Sequence, residues 1–184
     1  MRRNVLMMGA AISLLGSLIG GLSIIAIAKT DAITKSSENT VNARLRRLED
    51  AEQIRKLLNG YGSTLDQRNF GAFAELFAGN SEYVGGGAMG TLKGPKAIGT
   101  VLENQMASNP AHLNSPNFHI FFNESIDVDG DIATATSKSA YVVRSDSNKP
   151  EMVFLAHYDD SFVRENGQWK FQRRVVHGDI PAPK

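Results

Sequence analysis

A single imidazole interrupts the apolar run "NFHIFF": His119 stands between Phe118 on one side and Ile120, Phe121 and Phe122 on the other. Upstream, in "STLDQRNF", Asp66 falls one position past the apolar stripe of a predicted helix, at that helix's C-terminal end. Carbonyl dipoles disfavour a carboxylate there, so Asp66 calls for a partner. A strand histidine turned toward the space beneath the helix supplies one, and the carboxylate orients its ring and raises its basicity. Such a pair serves either as a general base for carbon-bound protons or as a buried structural contact.

The other residues with chemical potential point less far. In "HYDD" and "HGD", His157 with Asp159 and His177 with Asp179 are two apart, so each pair shares a strand face and offers metal-ligand types. Pairs of this kind are common by chance, and the second falls in an expected frayed tail, so no metal site is assigned. Gly85-Gly86-Gly87 lacks the Lys-Ser/Thr pair and the helix directly behind it that a phosphate loop requires. No serine stands in a GxSxG elbow, and the absence of cysteine removes thiol catalysis, thiolate metal sites and disulfides.

Elements must bring Asp66 and His119 together. Val41, Leu45, Leu48, Ala51, Ile54, Leu58, Tyr61 and Leu65 recur every three or four residues, predicting one amphipathic helix ending at Asp66. Asp50 and Gln53 offer a capping box that would start the folded part of it, and Gly60 and Gly62 weaken its end. Asn69 is the expected cap of a second helix over "FGAFAELFAG", with Phe73, Leu76 and Phe77 inward. "SEYV" predicts a strand, the glycine triplet a wide turn, and Pro95 the first position of a third helix that Pro110 ends. Strands follow over 117–128, 131–145, 151–164 and 168–177, with turns at Asp129-Gly130 and Asn166-Gly167. Helices first and a long antiparallel meander afterwards define an α+β domain.

The 184 residues, 42% hydrophobic, suffice for one domain with a sizeable core. Arg2 and Arg3 precede an uncharged apolar run that closes on Ala26-Ile27-Ala28. This pattern fits a secretory signal over residues 1–28, or an uncleaved membrane anchor of the same topology. Both place the remainder outside the cytoplasm, periplasmic or secreted. Residues 29–47 are a polar tether and helix start, 48–178 the domain, and 179–184 a tail. Beyond residue 28 the chain carries 18 basic and 19 acidic side chains, which gives nucleic acid no electrostatic footprint.

Taken in order, "EQIRKLLNGYGSTLDQRNFGAFAELFAGNSEYV", "GTLKGPKAIGTVL", "FHIFFNESIDVDGDIATATSKSAYVV" and "HYDDSFVRENGQWKFQRRVV" resemble the SnoaL-like branch of the nuclear transport factor 2-like superfamily. The resemblance spans about residues 48–178. It implies a cone: a strongly curved, mixed but largely antiparallel sheet around a pocket that three helices on the N-terminal side close. It also implies dimerisation through the sheet's outer face, which the apolar Phe118, Ile120 and Phe122 support independently. In the scytalone dehydratases and hexachlorocyclohexane dehydrochlorinases of this superfamily, an Asp ending the first helix pairs with a strand His that acts as base. Asp66 and His119 fall on those positions. The chain departs from the dehydratases at Leu65, where they have tyrosine, and at Ser137, near their second histidine.

The resemblance thus implies a cofactor-independent lyase or isomerase, with His119 and Asp66 abstracting a proton from a small hydrophobic, aromatic or polycyclic substrate. Tyr61, Tyr83, Phe121, Tyr141 and Tyr158 are the expected substrate-binding residues, a tyrosine being the candidate acid. The rival expectation is a noncatalytic exported module that binds a small ligand or takes part in assembly, using the same pocket.

Overall fold

The computed structural model describes residues 17–86, 89–107 and 116–181. It comprises two units, Met1–Arg46 and Arg47–Lys184. The expected export segment lies outside the described residues as far as position 16, and from Ser17 to residue 28 only its helical backbone is described. In the first unit the chain is helical from Ser17 as the start of α1 (Ser17–Asp66), so the polar stretch 29–40 is helix, with exposed side chains from Ile33 onward. No helix among the described residues is long and apolar enough to cross a membrane.

In the second unit, α1 continues to Asp66, and Ile54, Leu58, Tyr61 and Leu65 bury the expected stripe. The stripe's earlier members behave differently, because Val41, Leu45 and Leu48 are exposed. Asp50 does not start a helix. It lies inside α1, where Oδ1 accepts hydrogen bonds from Arg164 Nη2 at 2.6 Å and Trp169 Nε1 at 3.2 Å. The capping-box spacing therefore serves a tertiary contact between α1 and the end of the last hairpin.

The second helix is shorter than its apolar spacing predicts. α2 (Phe70–Ala74) is capped by Asn69, whose side chain accepts from the Ala72 amide at 3.1 Å. The chain then turns into β1 (Phe77–Val84). Phe73 and Phe77 are both buried, as a helical period requires, but parallel pairing of β1 with the last strand overrides that period from Phe77 onward. β2 (Thr91–Lys93) pairs back on β1, and α3 (Pro95–Ala107) opens at Pro95 as expected. Pro110 and Gly87 lie outside the described residues.

Four long strands complete the domain: β3 (Asn117–Asp129), β4 (Ile132–Arg144), β5 (Pro150–Glu165) and β6 (Gln168–Ile180). Gly130, Asn166 and Gly167 take the positive φ values of 60°, 51° and 78° that tight hairpins demand. The sheet runs β2-β1-β6-β5-β4-β3, antiparallel except at β1·β6, curved and unclosed. Register shifts in β3, β4·β5 and β5·β6 mark bulges, which bend a sheet. This is the mixed α+β architecture expected from the sequence. β6 runs to Ile180, so His177, Gly178 and Ile180 are paired strand and Asp179 sits at a register shift within it, not in a frayed tail.

On the concave side, Ile54, Leu58, Tyr61 and Leu65 of α1 join Phe73, Phe77, Ile98, Leu102, Phe162, Trp169 and Phe171 in one core. Residues of this size each contribute roughly 1.5–3 kcal/mol when fully buried. That core fixes the line along which α1 crosses the sheet, and thereby where Asp66 ends up.

Candidate active site

Asp66 is the last residue of α1. The helix stops because Arg68 adopts a left-handed conformation, φ 58°, and its Nη1 donates to the Leu65 carbonyl at 2.6 Å. Neither Gly60 nor Gly62 ends it; both lie within the helix. Gly62 has another task. A Cβ there would stand 3.0 Å from the His119 Cβ and 3.2 Å from Phe121 Cε2, so only glycine lets β3 approach α1 this closely without displacement.

The close approach brings Asp66 onto His119 through both carboxylate oxygens. Oδ1 lies 2.6 Å from His119 Nδ1, and Oδ2 accepts from the His119 backbone amide at 3.0 Å. With the amide holding one oxygen, the other is aimed at the ring, and the short contact assigns the proton to Nδ1 as donor. Nε2 is then the nitrogen left to act as base. The side chains are 14% and 20% exposed for His119 and Asp66, which places the pair at the rim of solvent. Tyr141, the cross-strand neighbour of His119, stacks on its ring at 4.4 Å and 29°.

His119 lines a cavity of about 720 Å³, within the range of small-molecule sites. Tyr61, Tyr83, Tyr141 and Tyr158 line it too, together with apolar side chains including Leu65, Met89, Leu102 and Phe154. Phe121 does not. It packs edge-on against Tyr61 at 5.9 Å and tilted on Tyr158 at 5.4 Å, supporting the lining from behind. The Tyr61 and Tyr83 hydroxyls are 3.0 Å apart, and the Tyr158 hydroxyl is 3.0 Å from Ser139 Oγ. Burial pushes the Tyr83 phenol up to about 12 and raises Tyr61 and Tyr158 as well, so all three are neutral hydroxyls near pH 7.

Sequence reasoning missed a buried cation behind this wall. Arg174 and Asp160 have fully buried side chains, with Nε 3.4 Å from Oδ1. The guanidinium carbon lies 3.8 Å from the Tyr61 ring centre and 4.0 Å from that of Tyr158. Aromatic faces thus take over much of the cation's solvation. Burial pushes the Asp160 carboxyl up to about 6, although the Arg174 charge opposes the shift. Strict alternation from Trp169 and Phe171 points Arg173 inward; the bulge at β6 turns Arg174 in instead.

The two His-Asp pairs of the last hairpin lie elsewhere. Alternation along β5 and β6 sets them on the outer face of the sheet, opposite the buried Tyr158, Asp160 and Arg174.

Residues 46–175 match the SnoaL-like domain family, and the chain belongs to it. Its fold is nuclear transport factor 2-like. An uncharacterized protein of Mycobacterium tuberculosis is 30% identical over 131 residues, covering 70% of this chain and 84% of that protein. Among solved structures, a nuclear transport factor 2-like protein with a cystatin-like fold from Novosphingobium aromaticivorans is 26% identical, with a TM-score of 0.65 and coverage of 77% and 90%. Two further structures, each 22% identical, share the fold. They are a hexachlorocyclohexane dehydrochlorinase from Novosphingobium barchaimii (TM-score 0.62, coverage 77% and 94%) and a putative scytalone dehydratase from N. aromaticivorans (0.58, 72% and 86%).

Proposed function

We propose that this protein is a lyase or isomerase that removes a carbon-bound proton from a small hydrophobic, aromatic or polycyclic substrate, needing no cofactor. The observation that carries the reading is the two-point hold of Asp66 on His119, which engages Nδ1 and leaves Nε2 as the base in a ring that lines the cavity. As Nε2 takes the proton, the C–H electron pair becomes a carbon–carbon double bond or an enolate. In an elimination, the bond to a leaving group on the next carbon breaks and the group departs with its electrons. In an isomerisation, the proton returns from Nε2 to another carbon. Asp66 and the stacked face of Tyr141 stabilise the imidazolium formed. In the Tyr61–Tyr83 pair one neutral hydroxyl donates to the other, which leaves the second free to donate to a departing or carbonyl oxygen. Names of fold relatives, a dehydrochlorinase and a putative dehydratase, are consistent with this chemistry class.

The test is a panel of aromatic and polycyclic carbon acids incubated with the protein in deuterated buffer and followed by nuclear magnetic resonance. Deuterium incorporation or product formation is expected with the wild-type chain and not with His119→Ala. Saturable binding without exchange or product at any pH between about 5 and 9 would replace the enzyme by a ligand-binding module.

A further inference from the structure

On the outer face of the sheet the β5·β6 register sets His157 directly opposite His177. Their rings stack at 4.3 Å and 5°. Each ring also holds a carboxylate from the other strand: His177 Nε2 lies 2.9 Å from Asp159 Oδ2, and His157 Nδ1 lies 2.9 and 3.0 Å from the two oxygens of Asp179. Ligand atoms of His157, Asp159 and His177 all fall within 4.8 Å of one another.

We infer that His157, His177 and Asp159 form a binding site for a divalent first-row transition ion, with Asp179 as the carboxylate that orients one of its ligands. This inference does not rest on the proposed catalysis, since the cluster and the cavity occupy opposite faces of the sheet. Three features support it. The donor set is two imidazoles and one carboxylate, which suits zinc, nickel, cobalt or copper and not the all-oxygen preference of magnesium or calcium. Asp179 engages His157 Nδ1 and so leaves Nε2 as the ligating nitrogen, the arrangement by which a second carboxylate commonly fixes a metal-bound histidine. Charge also favours a cation. Asp159 and Asp179 bring two carboxylates to the cluster; Lys138, the register neighbour of His157, offsets one, and Arg173, which shares a hollow with Asp159, lies 3.6 Å from the carboxylate of Glu82.

Donors around an ion at about 2.1 Å are separated by roughly 3.4 Å in a tetrahedral set, so the three groups must close in by up to about 1.5 Å and the two rings must turn out of their parallel stack to aim their lone pairs at one ion. Side chains that are 40–58% exposed have that freedom. Three protein ligands leave a coordination position open to solvent or to an outside donor. Ordinary surface His-Asp pairs, by contrast, contribute little to stability and give no reason for both pairs to share one patch.

The experiment is calorimetric titration of zinc chloride into the full-length chain, free of any polyhistidine tag, at about pH 7.5. Cobalt absorption spectroscopy on the same wild-type protein gives a second readout that needs no variant. The expected result is one equivalent bound with micromolar affinity, a cobalt spectrum of mixed nitrogen and oxygen ligation, and no comparable binding of magnesium. His157→Ala and His177→Ala should each weaken zinc at least tenfold, and Asp179→Asn by roughly ten- to a hundredfold. Binding should survive His119→Ala. The inference is overturned if zinc fails to bind at about 1 mM, if the His157→Ala/His177→Ala double variant binds undiminished, or if His119→Ala abolishes binding instead.

Discussion

Asp66 spends both of its oxygens on one residue, the ring and the backbone amide of His119, so it is placed to set the ring's orientation and tautomer together. Two groups acting as such a unit are not additive when removed. We therefore expect His119→Ala and Asp66→Asn each to lower turnover on the order of a hundredfold or more, with the double variant little slower than either. Kinetics normalised to the folded fraction check this. Full activity in folded His119→Ala would remove the pair from the mechanism, and a large loss of stability with activity per folded molecule preserved would make it a structural contact. The pairing was legible in the sequence because a carboxylate at a helix C-terminus and an imidazole in an apolar strand are each out of place alone. The role of Phe121 was less legible: its position on the inward face is a matter of period two, but whether it lines the cavity or backs Tyr61 depends on how far the sheet curves.

At the scale of elements, two glycines in one helix turn illustrate what a sequence leaves unsaid. Gly60 and Gly62 look alike as weak helix formers, yet a Cβ at Gly60 meets Leu76 Cδ2 at an ordinary 3.7 Å while one at Gly62 collides with β3. Gly60→Ala is expected to stabilise by about 0.5–1 kcal/mol. Gly62→Ala should gain nothing net, because pushing β3 away offsets the propensity gain, and its turnover should fall about tenfold as the Asp66–His119 contact lengthens. Melting curves and kinetics on the two variants separate them; equal behaviour would refute the spacing role of Gly62. One end of each of the four long strands was legible almost to the residue, since the Asp-Gly turn pins the end of β3 and the start of β4 and the Asn-Gly turn the end of β5 and the start of β6. The inward Arg174 was not, because bulge positions have no signature in alternation. Its partner Asp160 makes a further expectation. Its carboxyl, held near 6 when folded against about 3.9 when unfolded, keeps its proton longer in the native state. Its stabilising contribution is therefore complete below about pH 4 and is lost as pH rises through 6, on the order of 3 kcal/mol. Denaturant melts at intervals from pH 4 to 7 should show that decline in the wild type and a flatter profile in Asp160→Asn; identical slopes would reject the assignment.

For the molecule as a whole, the outer sheet face sets the remaining expectation. Phe118 is 56% exposed, and Ile120 and Phe122 beside it on β3, Ile132 on β4 and Met152 on β5 are exposed as well. The three helices of the domain cannot cover them, because the concave face takes the apolar residues of α1, α2 and α3. Ile132 stands apart at the β3–β4 turn, but Phe118, Ile120 and Phe122 on β3 and Met152 on β5, aligned with Phe118 across Val142, share one end of the face and form a patch of the kind that marks an interface. We propose a second copy of this chain as its occupant. A broad sheet face spread over three strands offers a twofold, self-complementary contact, whereas a peptide or a single helix would cover only a strip of it. The proposed metal cluster borders the patch through Lys138 on β4, so a closed interface would also reduce its solvent exposure. Replacing Phe122 by Glu puts a charge into the contact while leaving the inward face of β3 untouched. Light scattering at micromolar concentration should then find a dimer for the wild type and a shift toward monomer for Phe122→Glu, with unchanged circular dichroism. A monomeric wild type would exclude this face as a homodimer interface, and a dimer indifferent to the substitution would move the contact elsewhere.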